Sequence, residues 1–148
     1  MKRRVFSTLI AATLFGSFSL LSISNASADG VELYKNLNCG CCEEYAKYLR
    51  KHGFTVNVKP THDLASMSRD AGIPDGFQGC HLAFIDNYVV SGHVPINVVQ
   101  KVLKERPEIA GVTLPNMPQG SPGMGGTKQG PFTIYEVGEP QPKVYAVE

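Results

Sequence analysis

The sequence predicts an α/β fold, and three observations predict it. Short alternating apolar segments recur between residues 31 and 90. Stretches with apolar residues at helical spacing fall between and after them. Glycine, proline or an Asp-Asn pair punctuates the junctions.

Taken in order, Val31-Glu32-Leu33-Tyr34 alternates and predicts a strand, and Asn36 to Gly40 predicts a loop. Cys42 to His52 predicts a helix, because Tyr45, Tyr48 and Leu49 stand at i, i+3, i+4 and Gly53 supplies a stop. Phe54 to Val58 predicts a second strand, ended by Pro60. Asp63 is positioned to cap a short helix running to about Asp70, with Gly72 behind it. Ile73 to Gly79 is a Pro/Gly loop. His81–Ile85 and Tyr88–Val90 predict two strands joined by a tight turn at Asp86-Asn87. Pro95 opens a helix to about Glu105, with Ile96, Val99, Val102 and Leu103 as its apolar face. The order βαβαββα is the thioredoxin-like arrangement. It places a Cys-x-x-Cys at the end of the first strand and the opening of the first helix, where that fold carries its active site.

Residues 107–148 are additional. Pro115 to Gly126 is too rich in Gly and Pro for a helix or regular strand, and predicts a Met/Gly/Pro-rich loop. Phe132–Val137 and Lys143–Val147 predict a terminal hairpin. The division expected is therefore 1–28 as a cleaved leader, 29–106 as a thioredoxin-like domain, and 107–148 as an extension packed on it.

The leader rests on Lys2-Arg3-Arg4, an apolar stretch from Val5 to Ile23, and Ala26-Ser27-Ala28 as a cleavage site. An exported, periplasmic protein with no membrane anchor after cleavage is the expectation. Arg3-Arg4 leaves Sec and twin-arginine export both open. Removing 28 of 148 residues leaves 120, one small domain. The leader holds three positive charges and no acidic residue, so the formal charge of +1 becomes −2 without it. A mildly acidic domain with no basic stripe argues against nucleic acid as a partner.

Four cysteines remain: Cys39-Gly40-Cys41-Cys42, and Cys80 beside His81. Two structural disulfides are the bland reading in an oxidising compartment. The spacing argues against it, because clustered thiols close very short loops and constrain little of the unfolded chain. A helix N-terminus stabilises thiolates, and thiolates select Cu(I), Zn2+ and iron–sulfur clusters over hard cations. If the strand order holds, Cys80 faces the first three thiols from the position where thioredoxins usually hold a cis-proline. Four thiolates there would suit several Cu(I) ions in a polynuclear cluster, while one Zn2+ in a tetrahedral four-sulfur site is the simpler alternative. An iron–sulfur cluster is disfavoured by the oxidising compartment. His81 gains weight as a ligand from its neighbour Cys80, whereas His93 stands evenly between ligand and structural residue. His52 suits a helix C-terminus, and His62 a cap or solvent. Met117 and Met124 lie in a loop without apolar periodicity. They are equally packing residues or soft ligands able to close over copper.

With Cys39-Gly40-Cys41-Cys42, Gly79-Cys80-His81, Gly92-His93-Val94-Pro95 and Met117-Pro118-x-Gly120-Ser121-Pro122-Gly123-Met124 in this order, the chain resembles the CopG-type periplasmic copper-resistance proteins, the DUF411 family. The resemblance covers nearly all of residues 29–148. It implies a thioredoxin-like fold, a Cys-x-Cys-Cys copper site and a role in copper handling. It carries Cys39, Cys41, Cys42 and Cys80 over as thiol ligands and His81, His93, Met117 and Met124 as further soft candidates. Leu82 departs from the threonine expected after the Cys-His pair, and Ser91 from the acidic residue expected before Gly-His-Val-Pro.

Two functions compete. One is a copper-binding protein that traps Cu(I) for copper resistance or homeostasis, coupled or not to thiol redox change, with a periplasmic copper donor or acceptor, or a redox protein, as partner. The other is a thiol–disulfide oxidoreductase, with Cys39 attacking and Cys42 resolving. The sequence favours the metal-binding protein over the enzyme.

Overall fold

The computed structural model describes residues 30–148, and the leader read over 1–28 lies outside them. The described chain is mixed α/β: seven strands in one sheet and three α-helices. In order they are β1 (Gly30–Asn36), α1 (Gly40–Lys51), β2 (Thr55–Thr61), α2 (Leu64–Asp70), a single 3-10 turn at Asp75–Phe77, β3 (His81–Ile85), β4 (Tyr88–Ser91), α3 (Ile96–Glu105), β5 (Gly111–Thr113), β6 (Thr133–Val137) and β7 (Val144–Val147). The sheet runs β2-β1-β3-β4-β5-β6-β7. The pairs β1–β2 and β4–β5 are parallel and the others antiparallel.

Alternation along the strands sorts side chains to two faces. Val31 and Leu33 of β1, Ala83 and Ile85 of β3 and Val90 of β4 pack against Tyr45, Ala46 and Leu49 of α1 and Val98, Val99 and Val102 of α3. Leu82 and Val89 point the other way, to Leu64 of α2, Ile73 and Val137. By this parity His81 belongs to the face covered by α1, and Leu82 turns away from it. Among the described residues no helix is long and apolar enough to cross a membrane.

Four expectations need correction. β2 does not end at Pro60 but runs through it to Thr61. It is an edge strand, where proline's missing N–H costs no ladder bond. β1 extends past Tyr34 to Asn36 and so takes in Lys35. Asp63 stands at the start of α2 but makes no capping bond through its side chain; its own N–H donates to Thr61 Oγ1 at 3.0 Å. The extension contributes three strands rather than a hairpin alone, because Gly111–Thr113 pairs with β4 on one side and β6 on the other. Between β5 and β6 the chain has no helix or strand, as its Gly/Pro content predicts.

Candidate metal centre

β1 delivers the chain to a turn closed by a hydrogen bond from the Cys39 N–H to the Asn36 carbonyl (3.2 Å). Cys39 then takes the N-cap of α1, and Cys41 and Cys42 fall in its first turn. β3 lies antiparallel beside β1 with His81 opposite Lys35, so Cys80 arrives at the same end of the sheet. The sulfurs converge. Cys41 Sγ is 3.5 Å from Cys39 Sγ and 3.7 Å from Cys80 Sγ, and Cys42 Sγ is 3.4 Å from Cys80 Sγ. Cys39 and Cys42 are joined as a disulfide, with Cα atoms 5.4 Å apart, and Cys41 and Cys80 are free thiols. Cys42 is buried, and the other three are half-buried.

Two imidazoles also approach Cys80. His93 Nε2 is 3.1 Å from its sulfur, and His93 Nδ1 is 2.6 Å from the Pro122 carbonyl. That carbonyl only accepts, so Nδ1 carries the proton and the Nε2 lone pair faces Cys80. His81 Nδ1 lies 3.7 Å from the same sulfur, while His81 Nε2 is buried without a hydrogen-bond partner. The His81 ring stacks on Tyr45 at 4.5 Å between centroids, and the Tyr45 hydroxyl donates to the Val94 carbonyl at 2.8 Å.

Burial dominates the electrostatics. It pushes the Cys80 thiol up to about 12, reinforced by the neighbouring Cys41. It pushes His81 down to about 3, with His93 adding to the shift, and lowers His93 as well. Without a cation the Cys80 side of the site therefore rests as a neutral thiol between two neutral imidazoles. A soft cation would displace the thiol proton and supply the charge that burial withholds.

Residues outside the expected set hold the site in place. A Cβ on Gly79 would come within 2.4 Å of both the Cα and N of Gly92, so the two segments touch backbone to backbone. Ser91 stitches them together. Its Oγ accepts the Gly79 N–H at 2.9 Å and donates to the His81 carbonyl at 3.3 Å. The departure at Ser91 thus has a structural role, and the one at Leu82 lies across the sheet from the site. No cis peptide bond occurs among the described residues, including Gly79-Cys80. Lys35 is almost fully buried. Its ammonium donates to the Asn36 and Leu37 carbonyls (3.3 and 3.1 Å) and pairs with Glu43 of α1 at 3.2 Å. The only signal for Lys35 is its position two residues beyond Leu33, on the inward parity of β1.

The 114–132 loop covers the imidazole side. Pro122 accepts from His93, and Gly123 sits so close to the Tyr45 backbone that a Cβ would come within 2.7 Å of its nitrogen. Met117 and Met124 ride on this covering loop, both half-buried, with Met117 in the left-handed region at φ 43°. The structure thus gathers Cys39, Cys41, Cys42, Cys80, His81 and His93. His52 instead sits at the end of α1, with Nδ1 2.8 Å from the Tyr48 carbonyl.

Two overlapping donor sets result. Cys39, Cys41, Cys42 and Cys80 form one, and Cys80, His81 and His93 the other, with the donor atoms within each set all inside 4.8 Å. A mixed α/β protein with soft donors packed at a helix N-terminus is the class these features define. The family model "Protein of unknown function, DUF411" matches residues 77–124. Two solved structures are similar: "Copper resistance protein copG- Form 2" has TM-score 0.75 and 32% identity over 82% of this chain and 99% of that one. "Copper resistance protein copG- Form 1" has TM-score 0.74 and 32% identity over 82% and 98%. No curated protein matches. The chain belongs to the CopG-type DUF411 family.

Proposed function

We propose that this is an exported copper-binding protein that traps Cu(I) through Cys39, Cys41, Cys42 and Cys80, in the service of copper resistance. The observation that carries the reading is the convergence of four sulfurs from two separated segments within 4.8 Å. Metal–sulfur bonds of about 2.3 Å around a tetrahedral ion set sulfur–sulfur edges of about 3.8 Å. Three sulfur pairs, at 3.4 to 3.7 Å, are close to that spacing, and the bonded Cys39–Cys42 pair opens to it on reduction. An all-sulfur donor set favours Cu(I) over hard cations, and bridging thiolates accommodate more than one ion. The neighbours' titles, which name copper resistance, point the same way. The arrangement βαβαββα with strand order β2-β1-β3-β4 supports reading residues 29–106 as a thioredoxin-like unit and 107–148 as its extension. The leader supports a periplasmic location, with a copper donor or acceptor there as partner.

A second reading has one observation in its favour. Cys39 and Cys42 are disulfide-bonded, as an oxidoreductase would be between turnovers. In that reading a substrate dithiol reduces the disulfide by two electrons and leaves as a disulfide itself. The two readings also combine: two Cu(I) ions oxidised to Cu(II) would supply the two electrons that open the disulfide to two thiolates.

The test is an anaerobic Cu(I) titration of reduced residues 29–148 against a chelating probe, beside a Cys80→Ser variant. More than one tightly held Cu(I) per chain, reduced in the variant, is the expected result. No tight copper, with rapid exchange of the Cys39–Cys42 disulfide against a dithiol, would leave the oxidoreductase instead.

A further inference from the structure

We propose that the disulfide form of this protein keeps a second, different metal site: Cys80, His81 and His93 bind one divalent ion of borderline softness, of the Zn2+ or Co2+ kind. The inference rests on the copper reading only in sharing Cys80 with it.

The four-sulfur set exists in full only when Cys39 and Cys42 are thiolates. In the structure they are bonded to each other and are no longer available as thiolate ligands. The Cys80, His81 and His93 donors are untouched by that bond and remain together. Metal–sulfur and metal–nitrogen bonds of about 2.3 and 2.0–2.1 Å at a tetrahedral angle set a sulfur–nitrogen edge of about 3.6 Å. The two edges here are 3.1 and 3.7 Å. The set is also prepared on its far side. The Pro122 carbonyl holds the proton of His93 on Nδ1 and leaves the Nε2 lone pair for a ligand, the outer bond that metal-binding histidines typically make. His81 is fully buried, and its Nε2 has no partner. The nitrogen that His81 offers to the ion is Nδ1, 3.7 Å from Cys80 Sγ; Nε2 stays inside the core.

One thiolate and two imidazoles suit Zn2+, Co2+ or Cu2+ better than Cu(I), which the all-sulfur set suits. Opening or closing one disulfide therefore changes which cation the same Cys80 serves. Three protein donors leave a fourth position, as in zinc sites that exchange a ligand.

Co2+ is the probe, because its visible spectrum reports tetrahedral geometry and a thiolate ligand together. Residues 29–148 are prepared with the Cys39–Cys42 bond verified by mass spectrometry after alkylation, and titrated with Co2+ without reductant. The expected result is one Co2+ per chain, with tetrahedral bands, a thiolate-to-cobalt charge-transfer band, and displacement by Zn2+. Cys80→Ser should abolish the spectrum and His93→Gln should weaken binding tenfold or more. His81→Phe, which keeps a ring stacked on Tyr45, should do the same, and Cys41→Ser should keep the site. Circular dichroism establishes that each variant is folded. Absence of Co2+ uptake, or uptake indifferent to both imidazole variants, would overturn the proposal. So would loss of the site in Cys41→Ser, which would make it a thiol pair. Cu(I) titration of the reduced protein is read in parallel. Copper uptake there without Co2+ uptake here sinks this inference alone, and the reverse sinks only the copper reading.

Discussion

Cys80 stands between two unlike regions. On one side lie the thiols of the α1 N-terminus, half-buried apart from Cys42 and built on a turn that Lys35 ties down. On the other lie two fully buried imidazoles, roofed by Tyr45 and the Pro122–Gly123 segment. The sulfur side is made by neighbours in sequence and changes by making or breaking one bond. The imidazole side is made by three distant segments and has no covalent freedom. The difference teaches that one residue can belong to a chemically variable site and a rigid one together, and that the rigid side fixes where the variable one assembles.

The largest expected effect comes from removing the shared residue. Cys80→Ser should lower Cu(I) affinity by more than about a hundredfold, near 2.8 kcal/mol, measured by probe competition on the reduced protein. Cys39→Ser should lower it by less, because Cys41 and Cys42 keep their contacts with Cys80, whereas Cys80→Ser removes the one sulfur that the second segment supplies. Equal losses in the two variants would break the asymmetry drawn here.

Acid should strike the imidazole side. Burial holds His81 down at about 3, against an ordinary value of about 6.5 in the unfolded chain. Between those values the unfolded chain binds a proton that the folded chain refuses. The stability contributed by neutral His81 is therefore complete above about pH 6.5 and is lost as pH falls toward 3. The expected slope approaches about 1.4 kcal/mol per pH unit. His93, also lowered by burial, adds in the same direction. Urea unfolding of the metal-free protein from pH 7 to 4 measures it. His81→Phe should flatten most of the slope, whereas replacing exposed His62 should leave it unchanged. A slope that survives His81→Phe would place the proton uptake elsewhere.

Gly79→Ala tests the hinge between the two sides. The added methyl would meet the Gly92 backbone at 2.4 Å. Overpacking of this kind costs about 1–3 kcal/mol. The variant should therefore unfold at lower urea and lose affinity on both sides of Cys80. Gly76→Ala, where a Cβ meets nothing within 4 Å, is the control.

Much of this is legible in the sequence. The spacing of Tyr45, Tyr48 and Leu49 places α1, and the Asp86-Asn87 turn places the β3–β4 hairpin, because those signals are local. The convergence of Cys80 on the Cys-x-Cys-Cys turn follows from strand order, which short-range pattern can suggest. The misses share a cause. Gly111–Thr113 is three residues long and becomes a strand only by pairing with β4 and β6. Pro60 is tolerated because β2 has one neighbour, a fact of sheet order rather than sequence. In the sequence His93 stands evenly between roles because its decisive partner, Pro122, is 29 residues away. The bond between Cys39 and Cys42 depends on redox state, which residue spacing permits but does not decide.

The smallest effect expected is also the one that tests how the sulfur side is held. Lys35 is a lysine at an inward strand position, where burial normally excludes charge. Its ammonium is satisfied by two carbonyls of the turn that leads into Cys39 and by Glu43, one residue past Cys42. It thus bridges the strand end to the first turn of the helix across the segment that carries three thiols. Lys35→Met keeps most of the apolar stem and removes the three contacts. Losing the two backbone bonds should cost about 1 kcal/mol, since the freed carbonyls are only partly buried. Cu(I) affinity should fall severalfold, because the thiols are less well positioned and a nearby positive charge is gone. Co2+ binding by the disulfide form should be unchanged, since Lys35, although paired with His81 across the β1–β3 ladder, spends its ammonium on the turn and Glu43, and the disulfide itself pins the turn. A Lys35→Met protein that loses Co2+ as readily as Cu(I) would mean that the two sides of Cys80 are one mechanical unit.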